Sequence, residues 1–168
     1  AYCDLVIVRT NAKHSLNNLK NRLKIPIINA GDGDGQHPTQ SLLDVFTMRE
    51  ERGTVNKSVV SIVGDLKYSR TVHSLIRLLS NYRVTFNFVS INQLSIDDDT
   101  AKFLNEKNIN YNTYSSIDKV IKYTDFLYMT RIQTERFQEE DKKIDLEYIE
   151  NNLYLTPELL TNAKDNLV

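Results

Sequence analysis

A single cysteine in 168 residues excludes an intrachain disulfide and any cysteine-based zinc cluster. Cys3 lies in Ala1-Tyr2-Cys3-Asp4-Leu5-Val6-Ile7-Val8, where it reads as a small apolar residue buried in a strand, in keeping with a reducing compartment. That stretch has no basic segment and no cleavage site, so it does not read as a secretory leader. No apolar run approaches the roughly 20 residues that a membrane-spanning helix requires. Neither sign of charge dominates: 21 basic residues face 22 acidic ones, for a net charge of −1. Nucleic acid is therefore not an expected partner, and a soluble, cytoplasmic protein is. Glycine is scarce, with five in all, yet Gly31, Gly33 and Gly35 fall within one short segment. Their alternation spells neither G-x-x-x-x-G-K-[ST] nor G-x-G-x-x-G, which removes the two common nucleotide-binding loops. His14, His37 and His73 lack metal-ligand spacing.

What is present is an alternation of strand-like and helix-like segments. Residues 4–8 form an apolar run suited to a strand buried on both faces. Residues 15–23 read as a short helix, 25–28 as a strand and 29–36 as a glycine-rich loop. Pro38 suits the first turn of a helix running to about Arg52, with Gly53 as its stop. Further strands are expected at 58–63, 84–90, 110–114 and 126–129, and helices at 70–81, 97–107, 117–123 and 157–166. In the first of these helices Val72, Leu75, Ile76 and Leu79 follow the i, i+3, i+4, i+7 spacing of a buried stripe. Repeated β-α-β units imply an α/β fold: parallel sheets with flanking helices in two consecutive domains. The junction is expected near residues 53–57, giving an incomplete first domain over 1–53 and a second over 54–168. Residues 131–143 are polar, charged and poorly periodic, and read as a mobile loop.

In open α/β sheets ligands bind beyond the carboxyl ends of the strands. Four such ends carry cationic or amide groups: Arg9; His37 and Gln40; Lys67, Tyr68 and Arg70; Arg131 and Gln133. These are groups that grip anions. Each alone also fits a blander role, such as a surface charge or a hydrogen-bonded turn histidine. His73, within a helix, reads as packed or exposed there, not as catalytic.

Three blocks then stand out together: Gly31-Asp32-Gly33-Asp34-Gly35-Gln36-His37-Pro38-Thr39-Gln40, Gly64-Asp65-Leu66-Lys67-Tyr68-Ser69-Arg70-Thr71-Val72-His73-Ser74 and Met129-Thr130-Arg131-Ile132-Gln133-Thr134-Glu135-Arg136-Phe137. In this order they resemble the catalytic chains of aspartate carbamoyltransferases. The His37-Pro38-Thr39-Gln40 segment is also similar to the His-Pro-x-Gln of ornithine carbamoyltransferases, but the other two blocks look like the aspartate enzymes. The resemblance runs from Asp4 to Lys164.

The resemblance implies transfer of a carbamoyl group from carbamoyl phosphate to L-aspartate, a step toward pyrimidines, with no metal or organic cofactor. It implies that Arg9 contacts the phosphate, His37 the carbonyl oxygen and Gln40 the carbamoyl amine, with Arg9 and His37 as the catalytic pair. It gives Arg70 and Arg131 to the carboxylates of aspartate, where a guanidinium binds bidentately, with Gln133, Lys67, Tyr68 and Thr71 in support. It places residues 1–53 at the end of a carbamoyl-phosphate-binding domain and 54–168 in an aspartate-binding domain. It further implies a homotrimer for the full-length chain, and leaves a regulatory subunit or fusion partner open. The family's Ser-x-Arg-Thr-Arg phosphate cradle would lie before Ala1 and its His-Pro-Leu-Pro-Arg segment after Val168, so the chain reads as a central portion, expected to be inactive alone. Ser69 stands where the family usually has glycine. An ornithine carbamoyltransferase and a non-catalytic module of the same fold are the alternatives.

Overall fold

A computed structural model of the chain describes residues 2–11, 15–33, 35–137 and 144–168. Strand β1 (Val6–Thr10) runs parallel to β2 (Ile27–Asp32), with helix α1 (Ser15–Lys20) between them in the chain and an irregularity in register between Val8 and Thr10. Helix α2 (Pro38–Arg52) leads to a second, four-stranded sheet. This comprises β3 (Ser58–Val63), β4 (Val84–Val89), β5 (Tyr111–Tyr114) and β6 (Phe126–Met129), in the order β5-β4-β3-β6 with every pair parallel. Its helices are α3 (Arg70–Leu79), α4 (Asp98–Glu106), α5 (Leu146–Leu153) and α6 (Pro157–Leu160). The expected architecture of parallel sheets and flanking helices is what the chain adopts.

Helix α2 begins at Pro38, whose fixed φ and missing N–H suit a first turn. It ends at Gly53, whose N–H donates to Arg49 O at 2.7 Å. Val45 and Met48 are buried toward α3, while Leu42, Leu43 and Phe46 are exposed. In α3, Val72, Leu75, Ile76 and Leu79 are fully buried, as their spacing requires. They meet Val60, Ile62, Phe86, Phe88 and Phe126 on one face of the sheet, where Phe86 and Phe88 stack at 5.5 Å. The opposite face packs Val63 and Val89 against Ile117, Val120, Ile121, Ile149 and Leu153. A polar row crosses that face, buried at Asn87, Ser61 and Thr124 and exposed at Asn112: Asn112 Nδ2 donates to Asn87 Oδ1 (3.2 Å), Asn87 Nδ2 approaches Ser61 Oγ (3.4 Å), and Ser61 meets Thr124 at 2.6 Å. Satisfied within itself, the row opposes slippage of strand register.

Several local expectations are corrected. Cys3 is exposed and precedes β1, not buried within it. Strand β1 alternates between half-buried and exposed residues instead of burying both faces, because the helices touching this pair, α1 and α2, pack against β2. Strand β2 starts at Ile27, not Ile25, and runs on through Asp32 into the glycine segment. Helix α1 stops at Lys20. Residues 117–123 form two 3-10 turns, Ile117–Lys119 and Ile121–Tyr123, in place of one helix. The β-branched residues Ile117, Val120 and Ile121 disfavour an α-helix, and Thr124 Oγ1 donates to Val120 O at 2.9 Å, drawing the chain into the next strand. Helix α6 stops at Leu160, and the following residues make i→i+3 turns. Helix α5 is an element the sequence reading did not include. His14 and residues 138–143 lie outside the described residues.

Asp125, at the start of β6, ties three parts of the chain together. Its Oδ1 accepts from Arg52 Nη1 (3.0 Å) and Lys164 Nζ (2.7 Å), and its Oδ2 accepts from Val59 N (2.7 Å). Val168 pairs beside it, donating to Asp125 O and accepting from Leu127 N. Burial alone would raise the pKa of this carboxyl, but the Lys164 and Val59 hydrogen bonds and the Arg52 charge hold it below the ordinary value. A depressed folded-state pKa gives stability that is present above the unfolded value, near 3.8, and is lost as pH falls through the folded one. Asp125→Asn is therefore expected to cost about 1–3 kcal/mol at neutral pH and less below pH ~4. Urea titrations at pH 7 and pH 3.5 check this, and an equal loss at both would contradict it.

Candidate active site

The chain steps outward from β3 to β4 and β5 and then crosses back to β6. β4 lies on one side of β3 and β6 on the other, so the crevice at the carboxyl ends of β3 and β6 is the switch point where such sheets bind ligands. Gly64 ends β3 with φ +116°, and a Cβ there would sit 2.2 Å from Thr130 O, in the loop after β6. The next residue, Asp65, is fully buried and joins the same two loops. Its Oδ1 accepts from Tyr68 N (2.9 Å) and its Oδ2 from Gln133 N (3.3 Å). Burial raises its pKa, against the lowering effect of these N–H groups and that of Lys67.

Arg70 opens α3 and reaches back to the first sheet, where its Nη1 donates to Gly33 O. The point where a side chain on Gly31 would begin lies 3.4 Å from Arg70 Nη1 and 3.8 Å from Arg9 Cγ. Both arginines thus border this segment at van der Waals distance, and its φ of +127° favours glycine. His37, just before α2, is fixed from across the same seam: its N–H donates to Ser74 Oγ of α3 (2.9 Å), and Ser74 Oγ donates to Gln36 Oε1 (2.9 Å). Burial, then Arg70, then Arg9 lower the His37 pKa, against a smaller opposing effect of Asp44. The imidazole is therefore neutral at pH 7.

One turn on, Gln40 Nε2 donates to Asp44 Oδ1 at 2.9 Å. Thr71 and Asp44 both interact with the Tyr128 hydroxyl from β6. The loop after β6 carries the second group of expected residues. Arg131 is exposed and makes a bidentate pair with Glu135, with Nη1 3.0 Å from Oε2 and Nη2 on Oε1. That pairing takes the Glu135 pKa down to about 2. Gln133 is buried, and Arg136 Nη1 donates to Tyr68 O at 3.0 Å. Lys67 Nζ stands 4.8 Å from the Tyr68 ring centre. A cleft of about 490 Å³ opens beside Arg131, between Gly64, Thr130, Ile132 and the α5 residues Ile149 and Leu153.

The expected residues thus fall into two groups. Arg9, His37 and Arg70 form one electrostatic cluster, with Gln40 a turn away. Arg131 and Gln133 form another, joined to Lys67 and Tyr68 through Asp65. The expected mobile loop contains a 3-10 turn, Thr134–Arg136, stabilised by these contacts. His73 Nε2 lies 2.9 Å from Leu66 O, as a packed helix residue. Sequence reading gave no role to Asp44, Asp65, Ser74 or Glu135. All four lie within the three blocks or just beyond the first, so their positions were visible, but Ser74 and Asp65 also engage residues on other elements, His37 and Gln133.

Two parallel sheets joined by a long helix, with cationic and amide groups gathered at their seam and at a switch point, define an α/β protein. Residues 1–50 match the family described as aspartate/ornithine carbamoyltransferase, carbamoyl-P binding domain, and residues 56–168 match its Asp/Orn binding domain. The chain belongs to the aspartate/ornithine carbamoyltransferase family. It is 49% identical over 168 residues to multifunctional protein pyr1-3 of Dictyostelium discoideum, covering all of this chain and 7% of that protein. It is 40% identical over 167 residues to aspartate carbamoyltransferase catalytic subunit 2 of Shewanella halifaxensis, covering 99% and 53%. Among solved structures it resembles Trypanosoma cruzi aspartate transcarbamoylase in complex with carbamoyl phosphate and aspartate (TM-score 0.87, 29% identity, 99% and 55% covered). It also resembles the M. jannaschii catalytic subunit (TM-score 0.85, 36% identity, 99% and 53% covered). The chain spans about half the length of the single-function relatives it matches and a small part of the multifunctional one.

Proposed function

We propose that the chain is part of an aspartate carbamoyltransferase, which joins carbamoyl phosphate to L-aspartate to give N-carbamoyl-L-aspartate and phosphate in pyrimidine synthesis. Residues 1–53 serve the carbamoyl phosphate side and residues 54–168 the aspartate side. One observation carries this reading: at the seam between the two sheets Arg70 reaches from α3 to Gly33 O, close to Arg9, and His37 is fixed to Ser74 of the same helix. The relatives named for aspartate and the ligands in the Trypanosoma cruzi complex support it.

The aspartate amine attacks the carbamoyl carbon. A C–N bond forms, charge grows on the carbonyl oxygen, the C–O bond to phosphate breaks, and the proton lost by the amine leaves on the departing phosphate. His37 Nδ1 lies 3.4 Å from Thr39 Oγ1; with that hydroxyl donating, Nε2 carries the proton and donates to the developing oxyanion. Arg9 binds the phosphate, and Gln40 binds the carbamoyl amine. Arg70 and Arg131 take the two carboxylates of aspartate, supported by Lys67, Tyr68, Thr71 and Gln133. To do so Arg131 exchanges Glu135 for the substrate. Positioning and charge stabilisation are the whole of this chemistry, and no metal or organic cofactor enters it. The complete chain works as a cytoplasmic homotrimer, alone or with a regulatory subunit or fusion partner.

The test is formation of N-carbamoyl-L-aspartate by the complete catalytic chain that contains these residues, with ornithine as the competing acceptor. Arg131→Ala is expected to raise the aspartate KM or lower kcat/KM for aspartate on the order of 10²-fold, with carbamoyl phosphate binding little changed. Unaltered aspartate kinetics, or a preference for ornithine, would overturn the assignment.

A further inference from the structure

Asp44 was assigned no role by the motif reading, yet it is half-buried on α2 directly beneath Gln40. One of its oxygens accepts the Gln40 amide N–H, and the other, Oδ2, is enclosed and makes no hydrogen bond of good geometry among the described residues. The carboxylate is tied to two residues, Gln40 one turn earlier on the same helix and the Tyr128 hydroxyl from β6.

The chemistry of the pair fixes something that shape alone leaves open. A glutamine amide is nearly symmetric, and either end can face a ligand. An ionised carboxylate, however, can only accept. With Asp44 Oδ1 2.9 Å away, the NH2 end of Gln40 is turned to the carboxylate, which leaves Oε1 as the end available to a ligand. Burial raises the Asp44 pKa above its ordinary value, and the hydrogen bonds from the Gln40 amide and the Tyr128 hydroxyl oppose that shift by favouring the ionised form.

We infer that Asp44 is a specificity-determining positioning residue: it locks the Gln40 amide with its carbonyl oxygen toward the ligand, so that the site accepts a substrate bearing an N–H donor and rejects the isosteric methyl. The discriminated pair is carbamoyl phosphate, which presents NH2, and acetyl phosphate, which presents CH3 in the same place. The inference rests on the proposed role of Gln40. A methyl group there leaves Oε1 desolvated and unpaired, which is how hydrogen-bonding sites reject analogues that lack the donor.

The experiment measures carbamoyl phosphate and acetyl phosphate binding to the complete enzyme by calorimetry, together with carbamoyl transfer to aspartate. Asp44→Asn presents an amide that can donate or accept, so Gln40 can take either orientation. Its preference for carbamoyl over acetyl phosphate is expected to fall on the order of 10–100-fold, mostly through weaker carbamoyl phosphate binding, with the aspartate KM nearly unchanged. In a Gln40→Ala background, Asp44→Asn should change the preference no further. A preference kept by Asp44→Asn, or an equal loss for both ligands, would overturn the inference, the latter pointing to a purely structural carboxylate. Wild-type enzyme that discriminates in binding and loses this with Asp44→Asn, yet transfers no carbamoyl group to aspartate, would sustain the amide lock while overturning the proposed activity.

Discussion

Alanine at position 37 is expected to slow carbamoyl transfer by the complete enzyme on the order of 10²–10³-fold, with little change in overall stability. The magnitude is that of one preorganised donor to a developing oxyanion. The imidazole contributes little to the core, being only half-buried, and its backbone N–H keeps its bond to Ser74 whatever the side chain. Binding of substrates should therefore survive better than turnover. The pH profile gives a second check. Burial, Arg70 and Arg9 all push the His37 pKa below 6.5, so the ring is neutral throughout pH 7–8. Activity over that range should not follow a histidine titration. Rate measurements across pH 6–9 for wild type and His37→Ala test both points. Full specific activity in the variant, or unfolding as its main defect, would show that the histidine is structural.

The large features of this fold are legible in the chain. Val72, Leu75, Ile76 and Leu79 announce their helix because one buried stripe satisfies the 3.6-residue period. Pro38 and Gly53 mark α2 because each is suited to its end of a helix by its own backbone. Residues 58–63 and 84–89 read as strands because both faces are covered, leaving a nearly continuous apolar run. Helix α5 carried a signal too. Asp145 accepts from Tyr148 N at 3.0 Å as an N-cap, and Leu146, Ile149 and Leu153 share one face, but the polar stretch before it drew attention away.

What was not legible depends on partners far along the chain. Apolar residues 4–8 look fully buried, and only the helix placement shows that Ile7 and Arg9 face outward. The motif residues were found by type, but their grouping was not. That Arg70 belongs with Arg9 and His37 follows from its reach to Gly33, 37 residues away. That Arg131 is engaged follows from a carboxylate four residues on, a spacing that on an ordinary loop means nothing. Supporting groups were hidden most completely. Ser74 and Asp65 act through hydrogen bonds to His37 and Gln133, distant partners that no periodicity predicts.

Gly64 joins fold and site, and its replacement by alanine is expected to destabilise the complete chain by about 3 kcal/mol. Two separate effects contribute. The residue has φ +116°, a conformation L side chains rarely adopt. In addition its Cβ would lie 2.2 Å from the carbonyl oxygen of Thr130 and 3.1 Å from its carbonyl carbon, backbone atoms that no rotamer change can move. Relief requires the ends of β3 and β6 to separate, and three hydrogen bonds resist this: Thr130 N to Val63 O (2.9 Å), Gly64 N to Val89 O (3.0 Å) and Ser90 Oγ to Gly64 O (2.6 Å). Gly53→Ala supplies the comparison, since Gly53 also has a positive φ (+72°) but open space where its Cβ would go. It should cost only about 1 kcal/mol, so the difference between the two variants isolates the collision. The same displacement would pull Asp65 away from Gln133 and misalign the loops bearing Lys67, Arg70 and Arg131. Gly64→Ala should then weaken aspartate use far more than carbamoyl phosphate binding, whereas Gly53→Ala should alter neither. Urea unfolding and aspartate saturation kinetics on both variants decide this; equal destabilisation by the two would show that β3 and β6 part without resistance, and the close approach at Gly64 would not be what sets the loops.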